Sequence, residues 1–423
     1  MLALPQHYAI CSMIQQDAQG FDPISVIRKV KGMQTDSVQD RIKGILAELV
    51  AFDTVSHKTN LPLIAYIEAY LANLGVVCER LPDETGQKAS LFATIGPPDK
   101  SGYILSGHTD VVPVEGQVWT SDPFTLVERD GRLYGRGACD MKGFVAACLA
   151  QAPHMAAASL RTPIHFAFSY DEETGCTGVR PMIERLAGKP VKPLGCFVGE
   201  PTSGDVVVGH KAKHAVRASL RGKTCHSALA PHGVNAVEYA ADLILLVRET
   251  ARDLATHGPR DPAYEIPFTT ALTSVAHGGR ALNIVPDLCQ LEMEIRAIGA
   301  QDPRALMAGI MARAQNEIAA GMRRIDPSCG IDFEEIQSYP GLETDPQAPL
   351  VTLAKRLAGR NGHSKVAYGT EAGLFTAMAG IPAVVIGPGS IEQAHKADEF
   401  IAISELAACS QFLSRLIAHC AGP

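Results

Sequence analysis

Tyr103-Ile-Leu-Ser-Gly-His-Thr-Asp-Val-Val-Pro113 is the stretch that decides how this chain is read. A short apolar run ends at a glycine, and a histidine and an aspartate follow two residues apart. On an extended segment, side chains at i and i+2 point the same way, so His108 and Asp110 share a face. The pattern returns three times. Ile164-His-Phe-Ala-Phe-Ser169 leads to Asp171, Glu172 and Glu173. Gly195-Cys-Phe-Val198 leads to Gly199-Glu200-Pro201, and Ala383-Val-Val-Ile386 leads to Gly387-Pro-Gly389 and then His395. Brief apolar runs of this kind suit strands buried on both faces of a sheet. Helical runs such as Met141–Met155 lie between them. The alternation predicts an α/β domain with a mixed sheet and helices on both faces. Ligands of such sheets gather at the carboxyl ends of the strands, which is where these acidic and histidine side chains fall.

Working outward, residues 1–36 are poorly patterned and are expected to form an N-terminal arm. Asp36 is expected to cap a helix through about Tyr70, with Ile42, Ile45, Leu49 and Phe52 at helical spacing, and Asn60 to begin a second helical stretch ending near Gly75. The middle of the chain reads differently. His214–Leu220 alternates like a strand, Asn235–Leu254 is helical, and Thr269–Ala276 and Cys289–Ile298 are strands around His277-Gly278-Gly279. Pro303–Arg324 is a helix and Ile331–Ser338 a last strand. The order β-α-β-β-α-β predicts a ferredoxin-like α+β module. It spans 212–338 and is inserted into a larger, discontinuous domain made of 37–211 and 339–423.

Composition narrows the function. Of 423 residues, 46% are hydrophobic and 20% charged, which is ordinary for a globular enzyme. Lys+Arg number 38 against Asp+Glu 45, a formal charge of -7, so the basic footprint of a nucleic-acid binder is missing. No apolar run reaches the ~18 residues of a membrane span, and the first residues lack the basic and apolar regions of a signal peptide. The eleven cysteines include no CxxC pair and read as reduced thiols. The expectation is a cytoplasmic enzyme with no nucleic-acid or membrane partner.

Taken singly, the polar groups have ordinary readings. A Glu-Glu pair is a solvated turn, and Asp140, after Tyr134-Gly-Arg-Gly-Ala-Cys139, is a helix N-cap. Gly135-Arg-Gly137 invites a dinucleotide reading, but Asp140 replaces the third glycine and no convincing first strand precedes it. Jointly they describe something else. Two histidines and three carboxylates, without thiolates, suit zinc, with cobalt or manganese as alternatives. They can serve two metals if one carboxylate bridges. A water between two such cations is a strong nucleophile near neutral pH. A spare carboxylate beside a ligand is the natural base, and Glu172 beside Glu173 offers one.

Five strings, Ser106–Pro113, Gly135–Gly143, Asp171–Gly175, Gly199–Thr202 and Ala394–Asp398, resemble the metal-dependent aminoacylase/carboxypeptidase family. That family includes acetylornithine deacetylase, succinyl-diaminopimelate desuccinylase and glutamate carboxypeptidase. The resemblance covers roughly residues 37 to 420. It implies two divalent ions per chain. His108 and Glu200 would hold one, Glu173 and His395 the other, and Asp140 would bridge. It further implies Glu172 as general base and acid, Asp110 as the partner orienting His108, and a cis peptide at Asp140-Met141. Tyr368-Gly-Thr-Glu-Ala-Gly-Leu-Phe375 resembles the substrate loop of the acetylornithine deacetylases, which points to removal of acetate from N2-acetylornithine in arginine biosynthesis. Gly369, Thr370 and Glu371 become substrate contacts, with Glu371 facing the ornithine ammonium. Asn283 and Arg296 match positions that meet the substrate, Arg296 at its carboxylate. The inserted module is expected to act as lid and to pair two chains into a homodimer. His226 would then reach the oxyanion of the other chain's site. A desuccinylase or dipeptidase is the alternative within the class, and a non-catalytic metal- or peptide-binding protein the alternative outside it.

Overall fold

The computed structural model describes residues 37–422. The expected N-terminal arm, and Asp36 with it, lies outside them. The described chain divides into two compact units. The first runs up to Val208, resumes over Thr344–Ser364 and continues from Thr370, while the second holds Gly209–Glu343 and Lys365–Gly369.

In chain order the strands are β1 Cys78–Pro82, β2 Ala89–Ile95, β3 Tyr103–His108, β4 Val127–Arg129, β5 Arg132–Tyr134, β6 Ile164–Ser169, β7 Gly195–Val198, β8 Val207–His210, β9 Ala212–Arg221, β10 Thr270–Gly278, β11 Leu288–Ala297, β12 Gly330–Tyr339, β13 Leu342–Glu343, β14 Ser364–Val366, β15 Ala383–Val385 and β16 Phe400–Ala402. The large sheet of the first unit follows the order β1-β2-β6-β3-β7-β15-β8. Its centre, β6-β3-β7-β15, is parallel throughout, and antiparallel pairs flank it. These four parallel strands are the four runs picked out above. They are buried almost end to end, as parallel strands covered on both faces must be.

The helix Lys142–Ala157 packs on this sheet and is buried nearly all round. Its alanines at 146, 147, 150 and 152 let neighbouring elements approach closely. The helices Val38–Ala51 and Ile403–Ala421 lie against it and share its apolar core. At the end of β7, a Cβ on Gly199 would sit 2.1 Å from the Phe144 ring, so only glycine lets the strand pass this helix. The first helix is capped by Ser37, whose hydroxyl accepts from the Asp40 amide at 3.2 Å. It ends at Ala51, and a second helix, Leu61–Ala72, follows Asn60. The continuous helix expected up to Tyr70 is therefore interrupted. Lys142 Nζ donates to the Phe52 carbonyl in the gap, at 2.8 Å.

In the second unit β9, the helix Ala236–His257, β10, β11, the helix beginning at Pro303 and β12 follow one another. The sheet order is β10-β11-β9-β12, antiparallel throughout, which is the ferredoxin-like arrangement expected. Asn235 caps its helix by accepting from the Val237 and Glu238 amides. Asp302 caps the other with Pro303 in the first turn. That helix passes through a π turn at Ala314–Ala319 before ending at Ile325. Alternating buried residues of β9 and β11 face both helices in a core separate from that of the first unit.

Candidate metal centre

The centre is assembled where the parallel strands end. His108 closes β3, Glu172 and Glu173 follow β6, Glu200 follows β7, and His395 follows β15. Asp140 comes from the loop after β5. The Asp140-Met141 peptide is cis, and the Asp140 side chain does not cap the helix behind it. Its two oxygens separate instead. Oδ1 lies 3.0 Å from His108 Nε2, and Oδ2 lies 3.3 Å from His395 Nε2. His108 Nε2 is also 3.6 Å from Glu200 Oε1, and His395 Nε2 is 3.1 Å from Glu173 Oε2. Two clusters of donor atoms result, His108–Asp140–Glu200 and Asp140–Glu173–His395, each spanning less than 4.8 Å and sharing Asp140.

The His108 tautomer follows from its surroundings. Its Nδ1 is 2.9 Å from the backbone carbonyl of Asp110. A carbonyl only accepts, so Nδ1 keeps its proton. Nε2 is the nitrogen that faces Asp140 and Glu200, donating to Asp140 while protonated and giving up that proton to serve as a ligand. The Asp110 carboxylate sits farther from the ring, 3.5 Å from Nδ1. It accepts from the Ser56 hydroxyl at 2.7 Å and from the backbone amides of Glu172 and Glu173 at 3.1 and 3.4 Å. Asp110 thus orients the histidine with its main chain and holds the Glu172–Glu173 turn with its side chain. On the far side of that turn Lys88 pairs with Asp171 at 2.6 Å.

Too much negative charge is buried here for protein cations alone. Burial, with Asp140 next, drives Glu200 well above the usual carboxylate range. Burial and Asp140 push Glu173 up to about 7, and burial with the neighbouring carboxylates pushes Glu172 up to about 8. Asp140 escapes the same burial because both histidines hydrogen-bond to it, and its pKa falls. His395 is raised to about 10 by Asp140 and Glu173. Oxygen and nitrogen donors in two groups of three, crowded enough to resist ionisation together, fit two divalent cations.

The remaining expected site residues fall into two sets. Thr370 and Glu371 belong to the first unit but are fully buried at the start of the helix Ala372–Ala379. The Thr370 hydroxyl accepts from the Ala372 amide. The Glu371 carboxylate accepts from the Ser106 hydroxyl at 2.5 Å and the Ser169 hydroxyl at 2.8 Å. Glu371 differs from expectation here, since both oxygens are engaged beneath the strand ends. His226, Asn283, Arg296 and Gly369 belong to the second unit. There His226 bridges Ile284, the Asn283 carbonyl accepts from the Ser227 amide at 3.0 Å, and both side chains are exposed. Arg296 Nε donates to Glu294 at 2.9 Å, and Gly369 lies where any Cβ would strike the Tyr339 ring.

Arg136 and Glu399 escaped sequence reasoning. They form a salt bridge at 2.7 Å, both almost fully buried, directly behind Asp140. The available signal was an arginine between two glycines and a glutamate one residue beyond the last string.

Residues 104–419 match peptidase family M20/M25/M40. The chain belongs to this family. Among curated M20 relatives, the acetylornithine deacetylase of Myxococcus xanthus is 33% identical over 386 residues, covering 90% of this chain and 98% of that protein. The acetylornithine deacetylase of Photorhabdus laumondii is 34% identical over 87% of this chain and 93% of its own. An M20 metallo-carboxypeptidase of Sulfolobus solfataricus shares the fold with a TM-score of 0.72 at 20% identity, over 89% and 98% of the two chains. A dinuclear metal binding M20 peptidase of Bacillus subtilis does so with a TM-score of 0.62 at 17% identity, over 90% and 97%. The protein is accordingly a metal-dependent hydrolase of the M20 family with a site for two divalent ions. Among the described residues no helix is long and apolar enough to cross a membrane, and the cysteines are free thiols.

Proposed function

We propose that the protein removes the acetyl group of N2-acetylornithine, giving ornithine and acetate. The observation that carries the two-ion hydrolase in this reading is the divided carboxylate of Asp140, with one oxygen toward His108 and the other toward His395. In this reading His108 and Glu200 hold one ion, Glu173 and His395 the other, and Asp140 both. Zinc suits these donors best, with cobalt and manganese as alternatives. The curated acetylornithine deacetylases at 33–34% identity support the substrate.

When bound, the two ions supply Lewis acidity toward the amide carbonyl and lower the pKa of water. The chain's own groups do the rest. Glu172 has no ion to hold and takes the proton from the attacking water. The water oxygen joins the acetyl carbon, the C–N bond breaks, and Glu172 returns that proton to the leaving amine. Asp110 keeps His108 in its Nε2-facing tautomer and fixes the turn that aims Glu172. Arg296 offers its guanidinium fork to the substrate carboxylate, while Asn283 and Gly369 add contacts from the second unit. Glu371 is left out of the substrate contacts, because it is fully buried with its oxygens turned to Ser106 and Ser169. The second unit would act as lid and as the dimer contact, with His226 of the partner subunit donating to the oxyanion. Its sheet supports pairing, since among the described strands β10 and β12 are bonded on one side only. The cell compartment proposed is the cytoplasm.

Rates on N2-acetylornithine, N-succinyl-diaminopimelate and a dipeptide test the assignment. The expected result is the highest kcat/KM on N2-acetylornithine, lost on chelation and restored by Zn2+ or Co2+. A preference for either other substrate moves the protein to that activity. No hydrolysis of any by metal-loaded protein would mean a binding role.

A further inference from the structure

Glu399 touches neither histidine, yet four N–H donors converge on it. Its Oε2 accepts from Arg136 Nη1 at 2.7 Å and the Gly137 amide at 3.1 Å. Its Oε1 accepts from the Cys139 amide at 2.8 Å and the Asp140 amide at 3.0 Å. Its backbone carbonyl accepts from the Gly135 amide at 2.9 Å. The whole turn that presents Asp140 is thus wrapped around one side chain, which is 1% exposed.

The same residue ends the segment that carries His395. That segment needs outside support, because the His395 side chain is 52% exposed and no core packing fixes it. His395 and Asp398 also take left-handed backbone conformations, with φ of 62° and 53°, which non-glycine residues seldom adopt. The ties are polar. Gln117 donates to the His395 carbonyl at 3.0 Å and accepts from Arg136 at 2.5 Å. Arg136 also donates to the Lys396 carbonyl at 3.4 Å. His108 and Glu200 stand differently, each at the end of a parallel strand held by the main sheet.

We propose that Glu399, with Arg136 and Gln117, is the positioning clamp for the ion held by Asp140, Glu173 and His395, setting its affinity far more than that of the ion at His108 and Glu200, which shares only Asp140 with the clamped segment. The proposal rests on the two-ion reading above. A glutamine at 399 cannot replace the carboxylate. In either orientation its NH2 group points at N–H donors, leaving donors of a buried site unpaired.

Equilibrium dialysis of the full-length metal-free protein against buffered free Zn2+, with ions per chain counted by mass spectrometry, reads the two affinities separately. The unmodified protein should take two ions. Folded Glu399→Gln should keep one near its original affinity and bind the other about 10–100-fold more weakly, the usual effect of losing a partner behind a ligand. Gln117→Ala cuts the ties to His395 and to one nitrogen of Arg136 but leaves the Arg136–Glu399 ion pair in place, and it should weaken the same ion by a smaller factor. Two equally tight ions in folded Glu399→Gln would overturn the clamp, and so would equal loss of both. If Glu399→Gln does not fold, unchanged binding of both ions by Gln117→Ala overturns it. Fewer than two ions in the unmodified protein would instead reject the dinuclear reading itself.

Discussion

Glu172 and Glu173 are neighbours in the chain with the same side chain, and the site separates them. His395 stands 3.1 Å from Glu173. Glu172 is anchored through its amide to Asp110 and accepts the Cys176 thiol at 3.3 Å. Adjacent residues on a turn diverge, so two tasks for the pair were legible in sequence. Which residue takes which task depends on where a histidine more than two hundred positions later lands. Glu172→Gln should keep two ions per chain and lose about 10²–10⁴-fold in turnover, the usual share of a general acid–base group. Glu173→Gln should lose one ion. Metal analysis of both variants beside their rates checks this, and the opposite pattern would exchange the two roles. The same scale explains Glu371. Its sequence position allowed a substrate contact, and only the fold brings Ser106 of β3 and Ser169 of β6 to its oxygens.

At the scale of elements, β6 shows how a strand in the middle of the sheet handles a polar residue. His165 is 7% exposed, stacks on Phe92 at 5.4 Å and meets the Thr94 hydroxyl at 3.0 Å. Burial, aided by Lys189, lowers its pKa to about 4. In the unfolded chain the imidazole takes up a proton near pH 6.5. Stability from neutral His165 is therefore complete above about pH 6.5 and is lost as pH falls toward 4. By pH 5 the loss should reach about 2 kcal/mol at most. Thermal melting from pH 7 to pH 5 should show this drop, and His165→Gln should flatten it. An unchanged slope in that variant would mean other groups cause it. The four parallel strands were legible because each couples a short apolar run to glycine and acidic punctuation. Their neighbours β1, β2 and β8 carry no such signal; β1 and β2 form a local hairpin, but the antiparallel pairing of β2 with β6 and of β8 with β15 depends on contacts distant in sequence.

For the molecule as a whole, the proposed exchange of His226 between subunits makes a prediction about mixtures. His226 lies in the second unit on an exposed segment bridged to Ile284, and every donor of the metal centre lies in the first. Losing one oxyanion donor typically costs about 10²–10³-fold in turnover. His226→Ala and Glu172→Gln should each be nearly inactive as pure proteins. Coexpressed, they should regain activity, because one site of a mixed dimer has an intact Glu172 and an intact His226. No recovery despite verified subunit exchange, or full activity of a strict monomer, would rule the exchange out.

The sequence by itself determined which residue types stand at the ends of the central strands. Strand period, apolar runs and glycine punctuation are local properties, and they brought out His108, Asp140, Glu173, Glu200 and His395 as candidates before any contact was known. It also determined the β-α-β-β-α-β order of the second unit, since each element there is long enough to show its own periodicity. Tertiary structure alone decided the division of the Asp140 carboxylate, the placement of the Asp110 side chain on the Glu172–Glu173 turn and the convergence of four donors on Glu399. Each of these depends on angles and distances between segments that meet only when the sheet closes. Hydrogen bonds between such segments leave no period in the chain, because their partners are chosen by packing and not by spacing.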